Sequence, residues 1–196
     1  MLPTNVDPKH YDVAVEPDIP NLAFKGSVAI QLTVREATDK IVLNIADLVL
    51  DRAALAGAPA PVITYDPQGE TATFAFAQPL APGDYVLSLD YHGKIYQQAS
   101  GLFALDYETP QGTKRALFTQ FENADARRFM PCWDEPGRKA TFTLTATVPA
   151  RGTAAVQHAG RRERGTARRQ KNACASPSRR KCPPTCFTSA QATSSA

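Results

Sequence analysis

Between Thr119 and Pro136 the chain gathers four acids (Glu122, Asp125, Asp134, Glu135), the adjacent arginines Arg127 and Arg128, one thiol (Cys132), its single tryptophan (Trp133) and two prolines (Pro131, Pro136). No strand or helix needs that mixture for packing alone. Asp125, Arg127, Arg128, Asp134 and Glu135 alternate in sign. Such a pattern either pins an irregular loop through ion pairs or lines a cleft, and the first is the reading we favour. Cys132 could act as a nucleophile only as the thiolate; between Pro131 and Trp133 it reads better as a small core residue, with Trp133 as a core anchor. By residue type alone, Gln120 and Glu122 are a solvated amide and acid.

A second constellation lies in His158, Cys174, Cys182 and Cys186, set among arginines. The Cys182-x3-Cys186 spacing falls within the zinc-knuckle range, and the basic surround could attract phosphates. Against it, Pro183 and Pro184 stiffen the metal loop and Cys174 lacks a close partner. Neither a zinc module nor nucleic-acid binding is expected there. His10, beside Tyr11, is expected to begin an edge strand, and His92 to sit in a turn with Tyr91 and Gly93. Neither has a partner at ligand spacing.

The elements that must position these residues alternate with period two, the mark of half-buried strands. Val28, Ile30, Leu32 and Val34 share one face. Ile41, Leu43 and Ile45 repeat the pattern after a turn-like Ala37–Lys40. Phe74 and Phe76 mark a further strand; Tyr85, Leu87, Leu89 and Tyr91 another; Phe142, Leu144, Ala146 and Val148 the last. Prolines and glycines punctuate the gaps and no long helical period appears, so an all-β, antiparallel β-sandwich is expected over residues 1–150. Residues 151–196 differ. They hold ten of the 22 Lys and Arg but only one of the 19 acids, Glu163, and no Leu, Ile, Met, Tyr or Trp. Such a segment cannot bury enough apolar surface to order itself, and a disordered basic tail is expected. The start, Met1 to Pro8, lacks a basic, apolar leader, no stretch has the length of a membrane span, and the body holds a single cysteine. A cytoplasmic protein with no membrane partner is the expectation.

The segment from Thr119 to Pro136 resembles the TQFE…DARR.FPCWDEP signature of zinc aminopeptidases of the aminopeptidase N type. The likeness extends over the body. Leu2, Pro3 and Pro8 to Asp12 resemble the opening strand of that family, Phe24 to Ile30 its F.G.V.I strand, and Gly101 to Phe103 its GLF turn. The resemblance implies a saddle-like N-terminal β domain, incomplete at its C-terminal end, from a peptidase that releases N-terminal amino acids from peptides. It implies that Gln120 lines the pocket for the first side chain and that Glu122 accepts hydrogen bonds from the substrate's protonated α-amine. The peptide N-terminus is thus the implied partner, met together with a catalytic domain. Zinc is the implied cofactor of the intact enzyme. Its ligand motif, two histidines one helical turn apart with a glutamate general base between them, is absent, since no His-Glu pair occurs in the chain. This chain is therefore expected to bind no metal and to hold no catalytic residue. The alternatives are a non-catalytic β-sandwich interaction module and, more remotely, a nucleic-acid binder acting through its tail.

The tail also reads as a frameshift product. Shifting the frame by one base from Val156 to Gln170, and by two from Lys171 to Ser195, allows stretches that resemble the family, and adenine-rich codons for Gln170, Lys171 and Asn172 would join the two frames. Resequencing the nucleotides encoding residues 148–174 is expected to reveal an insertion or deletion. An intact frame there, with the tail found by mass in the native protein, overturns this reading.

Overall fold

The structure, a computed structural model, describes residues 1–147, 152–158, 161–162 and 190–194. In chain order the strands are β1 (Val6–Asp18), β2 (Ala23–Val34), β3 (Thr38–Asn44), β4 (Leu48–Leu55), β5 (Val62–Asp66), β6 (Thr71–Leu80), β7 (Gly83–Lys94), β8 (Gly101–Thr109), β9 (Gly112–Gln120), β10 (Thr141–Ala146), β11 (Gly152–His158), β12 (Arg161–Arg162) and β13 (Ala190–Ser194). They form one sheet ordered β10-β1-β2-β7-β4, a second ordered β3-β6-β5 and a third ordered β12-β11-β13-β9-β8. The protein is all-β, as its alternation predicts.

The centre of the first sheet is β2 against β7, antiparallel and in unbroken register from Ala23↔Lys94 to Val34↔Gly83. Period two puts Phe24, Val28, Ile30, Leu32 and Val34 on one buried face with Leu87, Leu89 and Tyr91. Ile41, Leu43, Phe74 and Phe76 of the second sheet enter the same apolar cluster, so the two sheets share a core. In β1 the buried positions change parity, from Val6 and Pro8 to Tyr11, Val13 and Val15. A bulge between Pro8 and His10 causes the change. Proline has no N–H for the ladder, and the extra residue absorbs that gap while keeping apolar side chains inward.

Several details depart from the sequence reading. β1 is no edge strand: β10 pairs beside it in parallel, from His10↔Thr141 to Val15↔Ala146. His10 consequently lies inside the sheet, its ring nitrogens 2.7 Å from the Thr141 hydroxyl and 3.2 Å from that of Thr143. His92 belongs to β7 rather than to a turn, and Thr38–Lys40 already belong to β3. In the segment expected to be disordered, the described backbone forms β11, β12 and β13. β13 completes the otherwise open edge of β9, pairing Ala192↔Leu117, Thr193↔Ala116 and Ser194↔Arg115. An unpaired row of N–H and C=O groups is a template for any extended segment that reaches it, and composition does not record that opportunity. Val148 and the remaining tail positions lie outside the described residues. Among the described residues no helix is long and apolar enough to cross a membrane.

Gly26 stands opposite Tyr91. A Cβ at Gly26 would lie 2.4 Å from Cζ of the Tyr91 ring, so the glycine makes room for the ring to lie across the strand. The Tyr91 hydroxyl is buried with no hydrogen-bond partner among the described residues, and burial, with the neighbouring Cys132, pushes its pKa up. Gly26→Ala is therefore expected to cost about 1–3 kcal/mol by overpacking. Tyr91→Phe, which removes an unsatisfied hydroxyl whose desolvation costs about 1–3 kcal/mol, is expected to be neutral or stabilising. Urea unfolding followed by the fluorescence of Trp133 checks both, and a clear loss of stability in Tyr91→Phe would contradict the second.

Candidate functional site

β9 delivers Gln120 as its last residue, opposite Gly101 at the start of β8. The chain then leaves the sheet. Phe121 turns inward and packs on Phe129, ring centroids 5.3 Å apart, and Phe129 stacks on Phe24 at 5.9 Å. Between these anchors Glu122, Asn123 and Ala124 are exposed, and the Glu122–Asn123 peptide is cis. The Asp125 N–H donates to the Phe121 carbonyl at 3.0 Å, closing a turn around Glu122. A short 3-10 turn, Ala126–Arg128, follows. Among the described residues, no hydrogen bond engages the side chains of Gln120 or Glu122.

Every other charge singled out in the segment is engaged. Arg127 donates from Nε to Asp134 at 3.0 Å and from Nη1 to Glu70 Oε2 at 3.0 Å. Arg128 donates to Asp125 at 3.0 Å, to Asp47 at 3.0 Å and to Glu70 Oε1 at 2.9 Å. Asp47 Oδ2 also accepts from the Tyr96 hydroxyl at 2.6 Å and lies 2.9 Å from Lys94 Nζ. The Asp134 side chain is wholly shielded from solvent. Burial pushes its pKa up, although Arg127 pulls the other way. Glu135 accepts from the Leu2 N–H at 2.6 Å and so ties down the N-terminal segment. This is the ion-pair network read from the alternating charges. Two members carry no signal in sequence: Asp47 and Glu70 arrive from the β3–β4 and β5–β6 connections, both with left-handed backbone, φ 55° and 48°. Asp and Asn visit that region more readily than other side chains, but neither position is marked by a glycine or a motif.

Cys132 and Trp133 are core residues, as their types imply. Cys132 exchanges two backbone hydrogen bonds with Asn44, at 2.8 and 3.1 Å, and the Asn44 side chain accepts from the Asp134 N–H at 3.1 Å. The Trp133 N–H donates to the Tyr11 hydroxyl at 3.2 Å. Burial, then the Asp134 charge, pushes the Cys132 thiol up, which suits packing and not nucleophilic attack. His92 pairs with Asp51 at 2.9 Å. Among the described residues no three His, Cys, Asp or Glu side chains are grouped to hold a metal ion. His158 belongs to β11, while Cys174, Cys182 and Cys186 lie outside the described residues. An open cleft between the β1–β2 turn and the β8–β9 hairpin, flanked by Glu16, Lys25, Asp106 and Lys114, includes no residue of the Thr119–Pro136 segment.

A family model described as the Peptidase M1 N-terminal domain matches residues 7–171. Aminopeptidase N of Acetobacter pasteurianus is 43% identical over 155 residues, covering 79% of this chain and 44% of that protein. Aminopeptidase M1-D of Oryza sativa subsp. japonica is 38% identical over 152 residues, 76% of this chain and 17% of that protein. Aminopeptidase M1 of Arabidopsis thaliana is 38% identical over 156 residues, 76% of this chain and 18% of that protein. The chain thus spans less than half the length of each of these relatives.

The Asp47–Tyr96 hydrogen bond makes the network sensitive to pH at both extremes. The bond from Tyr96, then that from Lys94, holds the Asp47 carboxyl below its usual value. Burial, then the bond to Asp47, pushes the Tyr96 phenol from 10.0 up to about 12. A lowered carboxyl contributes stability that is present above its unfolded pKa and lost as pH falls through the folded one. A raised phenol contributes stability that is present below pH 10 and lost as pH rises towards 12. The stability gap between the parent and Asp47→Asn is accordingly expected to be full at neutral pH and to close in acid. Spectrophotometric titration should show that Tyr96→Phe lacks one phenol ionising near pH 12. A difference titration centred at the ordinary tyrosine value would refute the bond.

Proposed function

The chain belongs to the peptidase M1 family through its N-terminal domain, and on that premise we propose that it presents Gln120 and Glu122 to the N-terminus of a peptide in an aminopeptidase. One observation carries the reading. In a loop where Asp125, Arg127, Arg128, Asp134 and Glu135 are all engaged, the Glu122 carboxylate stands exposed and unengaged among the described residues, on a turn closed at both ends. A carboxylate held in that way suits an ammonium, to which it would make a charge-assisted contact. Once a second domain covers the site, an acid without its cation becomes costly, and that cost disfavours peptides lacking a free amine. Gln120, one residue before Phe121 and half-buried, is placed to meet the first side chain.

Hydrolysis itself we assign to a catalytic region outside the described residues. Zinc, implied for the intact enzyme, finds no fitting set of side chains among the described residues. Residues 151–196 we propose to be out of frame. In support, the composition changes abruptly after residue 150, with ten of the 22 Lys and Arg but one of the 19 acids beyond it. A cytoplasmic location rests on the lone body thiol, Cys132.

The test is a chimaera in which residues 1–147 replace their counterpart in the Arabidopsis thaliana relative. There Glu122→Ala is expected to lower kcat/KM for free-amine substrates roughly 10- to 100-fold, the equivalent of about 1.5–3 kcal/mol for a hydrogen bond to a charged group. Gln120→Ala should instead alter preference among first side chains. Unchanged kinetics in Glu122→Ala, with N-acetylated substrates still rejected, would place amine recognition wholly outside this domain. The present chain alone is expected not to hydrolyse aminoacyl anilides with or without added zinc, and stoichiometric, zinc-dependent turnover would overturn that.

A further inference from the structure

We propose that Arg128 is the positioning residue of the Gln120–Glu122 segment, setting where Glu122 stands without itself touching substrate. The inference rests on the reading of Glu122 given above, and four observations carry it.

The first concerns the strand end. Gln120 pairs with Gly101, whose φ is 57°. A Cβ built there would lie 2.9 Å from Cβ of Arg128. Glycine at 101 thus lets the base of the Arg128 side chain close against β8 beside the residue paired with Gln120. The second concerns the far side of the turn. Arg128 Nε donates to Asp125, and the Asp125 N–H donates to Phe121, so one guanidinium edge fixes the point at which the Glu122 turn closes. The third is the direction of the other nitrogens. They reach Asp47 and Glu70, on two connections that belong to neither β8 nor β9. A planar guanidinium can satisfy three carboxylates in three directions at once, and an ammonium cannot hold the same fork. The fourth is the contrast with Arg127. That residue holds Asp134 and Glu70 and so secures the stretch around Trp133, not the turn that carries Glu122. Arg128 thus reaches both ends of the substrate-facing segment, against Gly101 on one side and through Asp125 on the other.

The experiment has two arms. In the first, hydrogen exchange is measured on the full chain. Arg128→Lys is expected to raise exchange of the amides at 121–125 by about tenfold or more while the β2–β7 core keeps its protection. If Arg128→Lys fails to fold, Asp125→Ala, which removes the side-chain acceptor of the Arg128 Nε bond and leaves the Asp125 N–H in place, is expected to give the same local pattern. Unchanged exchange at 121–125, or exchange that rises equally in the core, overturns the proposal. In the second arm, the chimaeric peptidase carries Arg128→Lys, Glu122→Ala and both. If Arg128 acts through Glu122, Arg128→Lys raises KM for free-amine substrates several-fold in the parent and has no further effect in Glu122→Ala. Additive losses refute the positioning role. A Glu122→Ala variant with parental kinetics would instead refute the substrate reading, and the exchange arm would still decide whether Arg128 positions the turn.

Discussion

The Glu70 carboxylate, with one oxygen on Arg127 and the other on Arg128, is the contact on which the geometry of the segment depends. Both guanidiniums are largely withdrawn from water, with 14% and 24% of their side-chain surface left. Pairs at that depth differ from surface salt bridges, because losing one partner strands a charge that solvent no longer stabilises well. Glu70 therefore does more than add a favourable contact. It keeps two adjacent cations from repelling each other inside a half-buried pocket, and it ties the β5–β6 connection to a loop far along the chain.

The stretch from Phe121 to Ala140 has little regular structure, yet much of it is buried. Its backbone groups must still find partners. Asn44 supplies several of them, bonding the Cys132 backbone in both directions and the Asp134 N–H with its side chain. Tyr11 supplies another through its hydroxyl, and the Ala46 N–H donates to the Arg127 carbonyl at 3.0 Å. Trp133 and Phe129 then act as apolar pegs held at fixed depth. The exposed Glu122 turn is short and lies between Phe121 and this anchored stretch, so it has few ways to move. Such restriction suits the proposed contact with a peptide amine, since a contact ordered before binding costs less on association than one ordered during it.

Sequence revealed the strands because burial on one face of a sheet writes itself as period two, as in Val28 to Val34 or Leu87 to Tyr91. It revealed the loop because the mixture from Thr119 to Pro136 serves no regular element. It did not reveal the parallel placement of β10 beside β1, since alternation fixes a strand's faces but not its neighbour. The role of β1 as an interior strand, and with it the surroundings of His10, was lost for the same reason. Asp47 and Glu70 were invisible on different grounds. Each is a single acid in a connection, and only the folded chain brings it to Arg128. The β13 pairing escaped because an open sheet edge is a property of β9, whereas the reading of residues 151–196 considered only their own composition.

The stoichiometry of the network explains why Glu122 stays free. Two adjacent arginines five and six residues downstream would ordinarily be its nearest cations. Here their donors are committed to Asp47, Glu70, Asp125 and Asp134, and Lys94 is drawn to Asp47. Three cations face four acids before Glu122 is added, so with all four carboxyls ionised these groups carry one excess negative charge. That excess has two consequences. It leaves no internal cation to capture Glu122 and pull it from the surface, and it attracts an incoming positive charge over distances of about a Debye length, roughly 8–10 Å at ordinary ionic strength. A network that looks purely structural when its pairs are counted one by one thereby fixes the electrostatics of the residue it does not touch.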